Sequence, residues 1–136
     1  MERTASEARK KQILIVEDDQ SIRRVLGFRL MKLGFEVSEA EDGFVGFDEA
    51  KRLRPDLIVL DLRLPGRPGE EVCKAIREDS DKEFANTPIL MLTGKATDVD
   101  RVIGMVIGAN AYVAKPFQLP KLLREINRCL EHHTVR

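Results

Sequence analysis

The chain has 136 residues, of which 43% are apolar and 34% are charged, so it is long enough for one domain with its own core. Its 23 basic residues balance its 23 acidic residues, which argues against a general nucleic-acid binder and against a polybasic membrane anchor. No apolar run approaches the roughly 20 residues of a membrane span, and the polar residues 1–11 lack the apolar segment of a secretory signal. We therefore expect a cytoplasmic protein that contacts neither a membrane nor nucleic acid directly.

Five short apolar segments of strand length alternate with five segments of helical periodicity. The first helical pattern counts Val25 and Leu33 among its apolar positions, and Gly34 is placed to end it. After the third helix, the stretch 78–87 is mostly polar and is predicted to be neither helix nor strand. The predicted strands are 13–16, 35–38, 57–60, 89–92 and 111–114, and the predicted helices are 21–33, 42–54, 70–77, 98–107 and a last one that begins near Pro120.

This alternation predicts an α/β fold, namely a doubly wound five-stranded parallel sheet with right-handed crossovers and helices on both faces. The third strand is apolar at every position, which is typical of a parallel strand that is covered on both sides. The predicted domain covers residues 12–131, with a polar lead-in at 1–11 and a short tail at 132–136. Cys73 and Cys129 are too few for a disulfide framework or a zinc site, and we interpret them as buried apolar residues.

Polar residues follow four of the predicted strands. The sequence Glu17-Asp18-Asp19 follows the first strand, and Asp61 follows the third. Thr93 follows the fourth strand, and Lys115 follows the fifth. Taken singly, these residues have ordinary explanations as helix caps, turn formers or surface residues. Because ligands of doubly wound sheets bind at the carboxyl ends of the strands, we expect the four positions to converge on one site.

The charges of this site require a cation. Two carboxylates about 4 Å apart repel by roughly 4 kcal/mol at an effective dielectric constant near 20. Lys115 supplies one positive charge, and a divalent ion would supply two more. A ligand set of a few carboxylates and water favours Mg²⁺. A carboxylate beside Mg²⁺, a hydroxyl group and a lysine suits phosphoryl transfer, with Asp61 as the nucleophile and Thr93 and Lys115 holding phosphoryl oxygens.

Four motifs resemble those of the response-regulator receiver family of two-component and phosphorelay signalling. They are ILIVEDD at 13–19, PDLIVLD at 55–61 followed by LPG at 64–66, MLTG at 91–94, and YVAKPF at 112–117. The resemblance covers about residues 11–131. It implies the flavodoxin-like (βα)5 fold of the chemotaxis regulators, with strand order 2-1-3-4-5.

The resemblance also implies roles for individual residues at the metal. Asp61 is expected to be the phosphoacceptor, so that the chain is a phosphoprotein. Asp18 is expected to bind Mg²⁺ directly, and Glu17 is expected to help through water. Asp61 itself and the backbone carbonyl of Arg63 complete the implied ligands, with Mg²⁺ as the only cofactor.

A second group of residues is implied in switching and in phosphoryl lifetime. Thr93 and Lys115 hold the phosphoryl group, and Tyr112 turns inward as Thr93 moves toward it. Arg63 and Lys95, two residues past Asp61 and Thr93, are both basic in this chain. We hypothesise that these two cations modulate the access of water and the rate of dephosphorylation.

Three features bear on the output of the domain. The Lys115–Pro116 peptide bond is expected to be cis, by resemblance to the family. Asn110-Ala111 stands where many DNA-binding regulators carry an acidic pair, which weakens an assignment to the subfamily that dimerises through this face. The predicted fourth helix is unusually apolar, and Met105 lies off its core stripe. Met105 is either an ordinary exposed apolar residue or part of a partner-binding surface.

The resemblance implies a sensor histidine kinase or a phosphotransfer protein as the phosphoryl donor. The face of the predicted fourth helix, fifth strand and last helix would control a downstream partner or output domain. The chain would be no enzyme beyond its own phosphorylation and dephosphorylation. One alternative is the N-terminal receiver of a longer DNA-binding regulator, although this chain contains no helix-turn-helix. A phosphohydrolase that uses an aspartyl-phosphate is the third reading. The sequence identifies neither the kinase nor the stimulus.

Overall fold

Strands and helices alternate along the computed structural model, which describes residues 10–94 and 107–134. The sheet is entirely parallel and has the order β2-β1-β3-β4-β5, which confirms the predicted fold class and strand order. The elements are β1 (Gln12–Val16), α1 (Gln20–Lys32), β2 (Glu36–Ala40), α2 (Gly43–Leu53), β3 (Leu57–Asp61), α3 (Gly69–Arg77), α4 (Lys82–Ala85), β4 (Ile89–Thr93), β5 (Ala111–Ala114) and α5 (Leu119–Thr134).

The sheet divides the core into two layers because successive residues of a strand point to opposite faces. In β1, Ile13 and Ile15 pack with α1 and α5, whereas Leu14 and Val16 pack toward α2, α3 and α4. All five residues of β3 are buried, as predicted for a strand that is covered on both sides. Cys73 and Cys129 are free and buried, one in each layer, which confirms their interpretation as apolar core residues.

Local signals in the sequence define where helices begin and end. Asp19, Asp42 and Asp81 each precede a helix, and their side-chain oxygens accept backbone N–H groups of the first turn at 2.8–3.2 Å. At the other end of α2, Arg54 adopts a left-handed conformation with φ of 52° ahead of Pro55. These caps place the loops between strands and helices close to their predicted positions.

Two expectations from the sequence were wrong. The stretch 78–87 contains a short helix, α4, whose Phe84 is only 1% exposed and packs edge-on against Phe47 at 5.8 Å. In α1, Leu26 and Leu30 are buried, but two apolar positions of the predicted pattern are not, since Val25 is 60% exposed and Leu33 is 56% exposed. Val25 lies about 100° around the helix from Leu26 and therefore faces away from the sheet.

The predicted helix 98–107 lies outside the described residues except for Ile107, which is in a turn. The candidate residues Lys95 and Met105 lie outside them as well. In the parts of the chain that the structure describes, no helix combines the length and the apolar composition needed to cross a membrane.

Candidate functional site

The carboxyl edge of the sheet collects the polar residues that follow the strands. Glu17 comes directly after β1, and Asp61 is the last residue of β3. Thr93 ends β4, and Lys115 follows β5. Because neighbouring strands are parallel and in register, these four backbone positions lie side by side along the edge. The convergence expected from the sequence is therefore present in the fold.

Three carboxylates share a small volume at this edge. One oxygen each from Glu17, Asp18 and Asp61 lies within 4.8 Å of the other two. Glu17 is 1% exposed and Asp61 is 5% exposed, whereas Asp18 is exposed to solvent. Negative charges this close together, two of them buried, are unfavourable unless a cation compensates them.

Lys115 is the cation that the chain itself supplies. Its Nζ lies 2.5 Å from Glu17 Oε1 and donates a hydrogen bond of 3.2 Å to Asp61 Oδ2. Among the described residues, Glu17 Oε1 forms this ion pair, and no hydrogen bond of regular geometry reaches the buried atom. In the parts of the chain that the structure describes, one lysine is thus paired with three converging carboxylates, which leaves an excess of two negative charges when all three are ionised.

These surroundings shift the pKa values of the central pair. Burial raises the pKa of Glu17, and the nearby charge of Asp61 raises it further, against the lowering effects of Lys115 and the Asp19 N–H group. Burial by itself lowers the pKa of Lys115, but the close ion pair with Glu17 and the nearby charge of Asp61 raise it on balance. Lys115 is therefore held as an ammonium ion.

The donor set fits Mg²⁺. All three converging side chains offer oxygen, and the excess negative charge of the site, counted over residues 10–94 and 107–134, equals the charge of one divalent cation. Glu17, Asp18 and Asp61 are therefore the residues that would hold a metal ion, and their roles as Mg²⁺ ligands stay predictions. The Arg63 carbonyl stays a predicted ligand. The Arg63 N–H donates to Asp61 Oδ1 at 3.2 Å, and its side chain is exposed.

A close backbone approach shapes the loop after Asp61. Gly69 N donates to the Leu62 carbonyl at 2.9 Å, which brings the start of α3 against the end of β3. A Cβ atom at Gly69 would lie 2.1 Å from the Asp61 carbonyl oxygen. Only glycine permits this return of the chain, which fixes the backbone of Asp61 beside α3.

The remaining predicted residues are placed only in part. Thr93 is located by its backbone, opposite Ala114, and its side chain is outside the described part of the structure. Tyr112 is partly buried on β5, opposite Met91, and packs against the layer that contains α2 and α3. The Lys115–Pro116 peptide bond is cis, as the resemblance implied.

Sequence reasoning overlooked one buried cation next to the site. Arg23 of α1 is 8% exposed, and its Nη1 donates to the Glu17 carbonyl at 2.7 Å. A signal was available, because Arg23, Leu26 and Leu30 have the i, i+3, i+7 spacing of one helix face. The neighbouring Arg24 is exposed.

The fold and the site together define a class of protein: a doubly wound parallel sheet with an acidic, lysine-bearing site at its carboxyl edge. The profile described as "Response regulator receiver domain" matches residues 13–127. The chain therefore belongs to the response-regulator receiver family.

Solved structures agree with this assignment. The chemotaxis response regulator CheY4 of Vibrio cholerae is 34% identical, with a TM-score of 0.82, over 90% of this chain and 100% of that one. A Chloroflexus aurantiacus protein described as a response regulator is 32% identical, with a TM-score of 0.84, over 90% and 99%. The BeF3-activated N-terminal receiver domain of Klebsiella pneumoniae RstA is 28% identical, with a TM-score of 0.81, over 88% and 98%.

Proposed function

We propose that this chain accepts a phosphoryl group on Asp61 in a Mg²⁺-dependent reaction and thereby acts as a signalling switch. The observation that carries the proposal is the cluster of Glu17, Asp18 and Asp61, in which Lys115 forms ion pairs with Glu17 and Asp61. Such a site lacks positive charge, which a divalent metal ion would supply, and the same ion would offset the negative charge of an incoming phosphoryl group.

In the proposed reaction, a carboxylate oxygen of Asp61 attacks phosphorus, and the bond from phosphorus to the donor atom breaks. The leaving group takes the electron pair of that bond and is protonated by solvent. When bound, Mg²⁺ would neutralise charge on the phosphoryl oxygens. Lys115 holds its proton beside Asp61 Oδ2 and is placed to pair with a phosphoryl oxygen. Hydrolysis of the resulting acyl phosphate returns the carboxylate and inorganic phosphate.

The donor in this proposal is a phosphohistidine on a sensor histidine kinase or a phosphotransfer protein. Thr93 and Tyr112 would carry the change from the site to a downstream partner or output domain. The chain would catalyse only its own phosphorylation and dephosphorylation. Support comes from membership of the receiver family and from the position of Tyr112 on β5, partly buried beside the sheet.

A second arrangement is the receiver of a longer regulator with a DNA-binding output domain. The RstA structure is described as an N-terminal receiver domain, which is an example of a receiver that belongs to a longer chain. Both arrangements use the same chemistry at Asp61, and the length of the full coding sequence separates them. An aspartyl-phosphate phosphohydrolase is a third possibility, and turnover of an external phosphate ester would be required to support it.

The test is the intact mass of the protein after incubation with acetyl phosphate, with and without Mg²⁺. We expect a gain of one phosphoryl group that requires Mg²⁺ and is lost in Asp61→Ala. Asp48→Ala is the matched control, because Asp48 is an exposed aspartate on α2. A gain that persists in Asp61→Ala, or no gain at saturating Mg²⁺, would contradict the assignment.

The basic residue Arg63 gives a second test, of phosphoryl lifetime. If its charge modulates the access of water, Arg63→Met will change the decay rate of the phosphorylated protein. The same comparison applies to Lys95→Ala. Unchanged decay in both variants would remove the modulating role.

A further inference from the structure

Arg23 is a buried arginine whose hydrogen bonds join helix α1 to the acidic loop and to the end of β2. Its Nη1 donates to the Glu17 carbonyl at 2.7 Å, and its Nε donates to Glu39 Oε1 at 2.9 Å. Its Nη2 lies 3.9 Å from Glu41 Oε2. Three different nitrogens of one planar group therefore face three oxygens from two neighbouring segments, an arrangement that lysine cannot reproduce.

The bond to the Glu17 carbonyl bears directly on the acidic site. That carbonyl belongs to the peptide group between Glu17 and Asp18, so its orientation determines how the Asp18 side chain leaves the backbone. The N–H group of Glu17 is also fixed, because it donates to the Ala40 carbonyl at 3.0 Å. Both main-chain polar groups of Glu17 are thus held by residues outside the loop.

The side-chain contacts of the loop complete this arrangement. Glu17 Oε2 accepts a hydrogen bond of 3.0 Å from the Asp19 N–H group, while Lys115 pairs with Oε1. Arg23 does not compete with a metal ion for the carboxylates of Glu17 and Asp18, because it binds the main-chain carbonyl of Glu17 and the side chain of Glu39. Its own charge is paired with Glu39, whose side chain is 39% exposed.

We propose that Arg23 is a positioning residue that holds Glu17 and Asp18 in the arrangement that binds Mg²⁺. The inference rests on the proposed function, since it assumes that these carboxylates hold the ion. Substitution of residues that orient metal ligands typically weakens metal binding about 10–100-fold. A merely structural arginine would instead lower stability and leave the affinity of the folded protein for Mg²⁺ unchanged.

The test is the dissociation constant for Mg²⁺, measured by isothermal titration calorimetry on the unphosphorylated protein. We expect Arg23→Met to weaken binding by about 10-fold or more. Arg24→Met is the matched control, one residue along the same helix but exposed, and should stay within about twofold of the wild type. The rate at which Arg23→Met is phosphorylated by acetyl phosphate should lie below that of the wild type at low Mg²⁺ and should reach the wild-type rate at saturating Mg²⁺.

A milder variant keeps the test decisive if Arg23→Met does not fold. Glu39→Gln retains Arg23 but removes the charge that orients its Nε, and we expect weaker Mg²⁺ binding than in the wild type by more than about twofold. Unchanged affinity in folded Arg23→Met, or in Glu39→Gln where Arg23→Met is unfolded, would overturn the inference. Failure of the wild type itself to bind Mg²⁺ would instead overturn the proposed function.

Discussion

The two edges of the sheet differ in how their partly or fully buried charged groups are compensated. At the amino edge, Arg77 donates to the carbonyls of Gly108, Ala85 and Thr87 and to Asn110 Oδ1, all at 2.8–2.9 Å. At the carboxyl edge, the described residues place one lysine against three carboxylates. The first cluster surrounds its cation with neutral oxygens, and the second has an excess of negative charge among these residues.

This difference indicates that the amino edge contributes to stability and that the carboxyl edge is arranged for function. The amino edge joins α3, α4, β4 and the start of β5 through hydrogen bonds that need no ligand. The carboxyl edge is electrostatically unfavourable until a cation binds, as expected where function is built at the expense of stability. Substitutions at the two edges should therefore change stability in opposite directions.

The largest expected effect is that of Arg77→Met at the amino edge. Removing the guanidinium leaves the carbonyls of Gly108, Ala85 and Thr87 without this donor, whereas Asn110 Oδ1 keeps the Ile89 N–H group. Methionine fills only part of the space. We expect the free energy of unfolding to fall by about 3 kcal/mol. Urea titrations followed by far-UV circular dichroism provide the measurement, because the chain has no tryptophan.

Arg52→Met is the control for this prediction, because Arg52 is exposed and forms an ion pair with Glu49 one turn away on the surface. We expect that change to lower the free energy of unfolding far less than Arg77→Met does. The affinity of Arg77→Met for Mg²⁺ should equal that of the wild type. A drop in stability similar to that of the control would show that the amino edge is not a source of stability.

The next effect has the opposite sign and concerns Asp61→Asn at the carboxyl edge. The change removes repulsion with Glu17 and Asp18 and loses one attraction, to Lys115. In EDTA, we expect the free energy of unfolding to rise by about 1 kcal/mol, because two repulsions outweigh one attraction. The exposed Asp48→Asn should change it by less than about 0.5 kcal/mol. Destabilisation by Asp61→Asn would mean that the cluster is already balanced without metal.

The strands, their order and the convergence of Glu17, Asp61, Thr93 and Lys115 could be predicted because they depend on patterns that are local in sequence. Apolar segments define the strands, and a parallel sheet then brings their carboxyl ends together whatever the side-chain contacts are. The sequence also indicated the charge imbalance, since it required only the positions of the ionisable residues.

What could not be predicted depends on tertiary contacts. The helix α4 has four residues, too few for a periodic signal, and is stabilised by burial of Phe84 and by the Asp81 cap. Arg23 and Arg24 are alike in sequence, and only the phase of α1 distinguishes the buried one from the exposed one. Arg77 donates to acceptors as far as 33 residues away in the sequence, and no local sequence pattern predicts such contacts.

Thr87→Val tests a smaller part of the amino edge. Thr87 is 5% exposed, and its hydroxyl donates to the Phe84 carbonyl at 2.7 Å at the end of α4. Valine has nearly the same shape, so the change removes the hydrogen bond and leaves the packing in place. We expect a loss of about 1 kcal/mol in urea titrations, with Mg²⁺ affinity unchanged. Equal stability of Thr87→Val and the wild type would exclude a contribution from this bond.

The smallest effect is a pH dependence of stability at the amino edge. There the pKa of Asp79 is lowered, whereas the pKa of Glu17 at the carboxyl edge is raised. The hydrogen bond from Lys51 Nζ, at 2.6 Å, lowers the pKa of Asp79, and the Asp81 N–H group lowers it further. A lowered pKa in the folded state contributes stability above the ordinary value of 3.8, and this contribution is lost as the pH falls through the folded pKa. Asp79→Asn should therefore have a lower urea midpoint than the wild type at pH 7, and the two midpoints should approach each other below pH 3.8. Lys51→Met removes the same ion pair from its other side and should reproduce this convergence, whereas a constant difference at all pH values would exclude the ion pair as its cause.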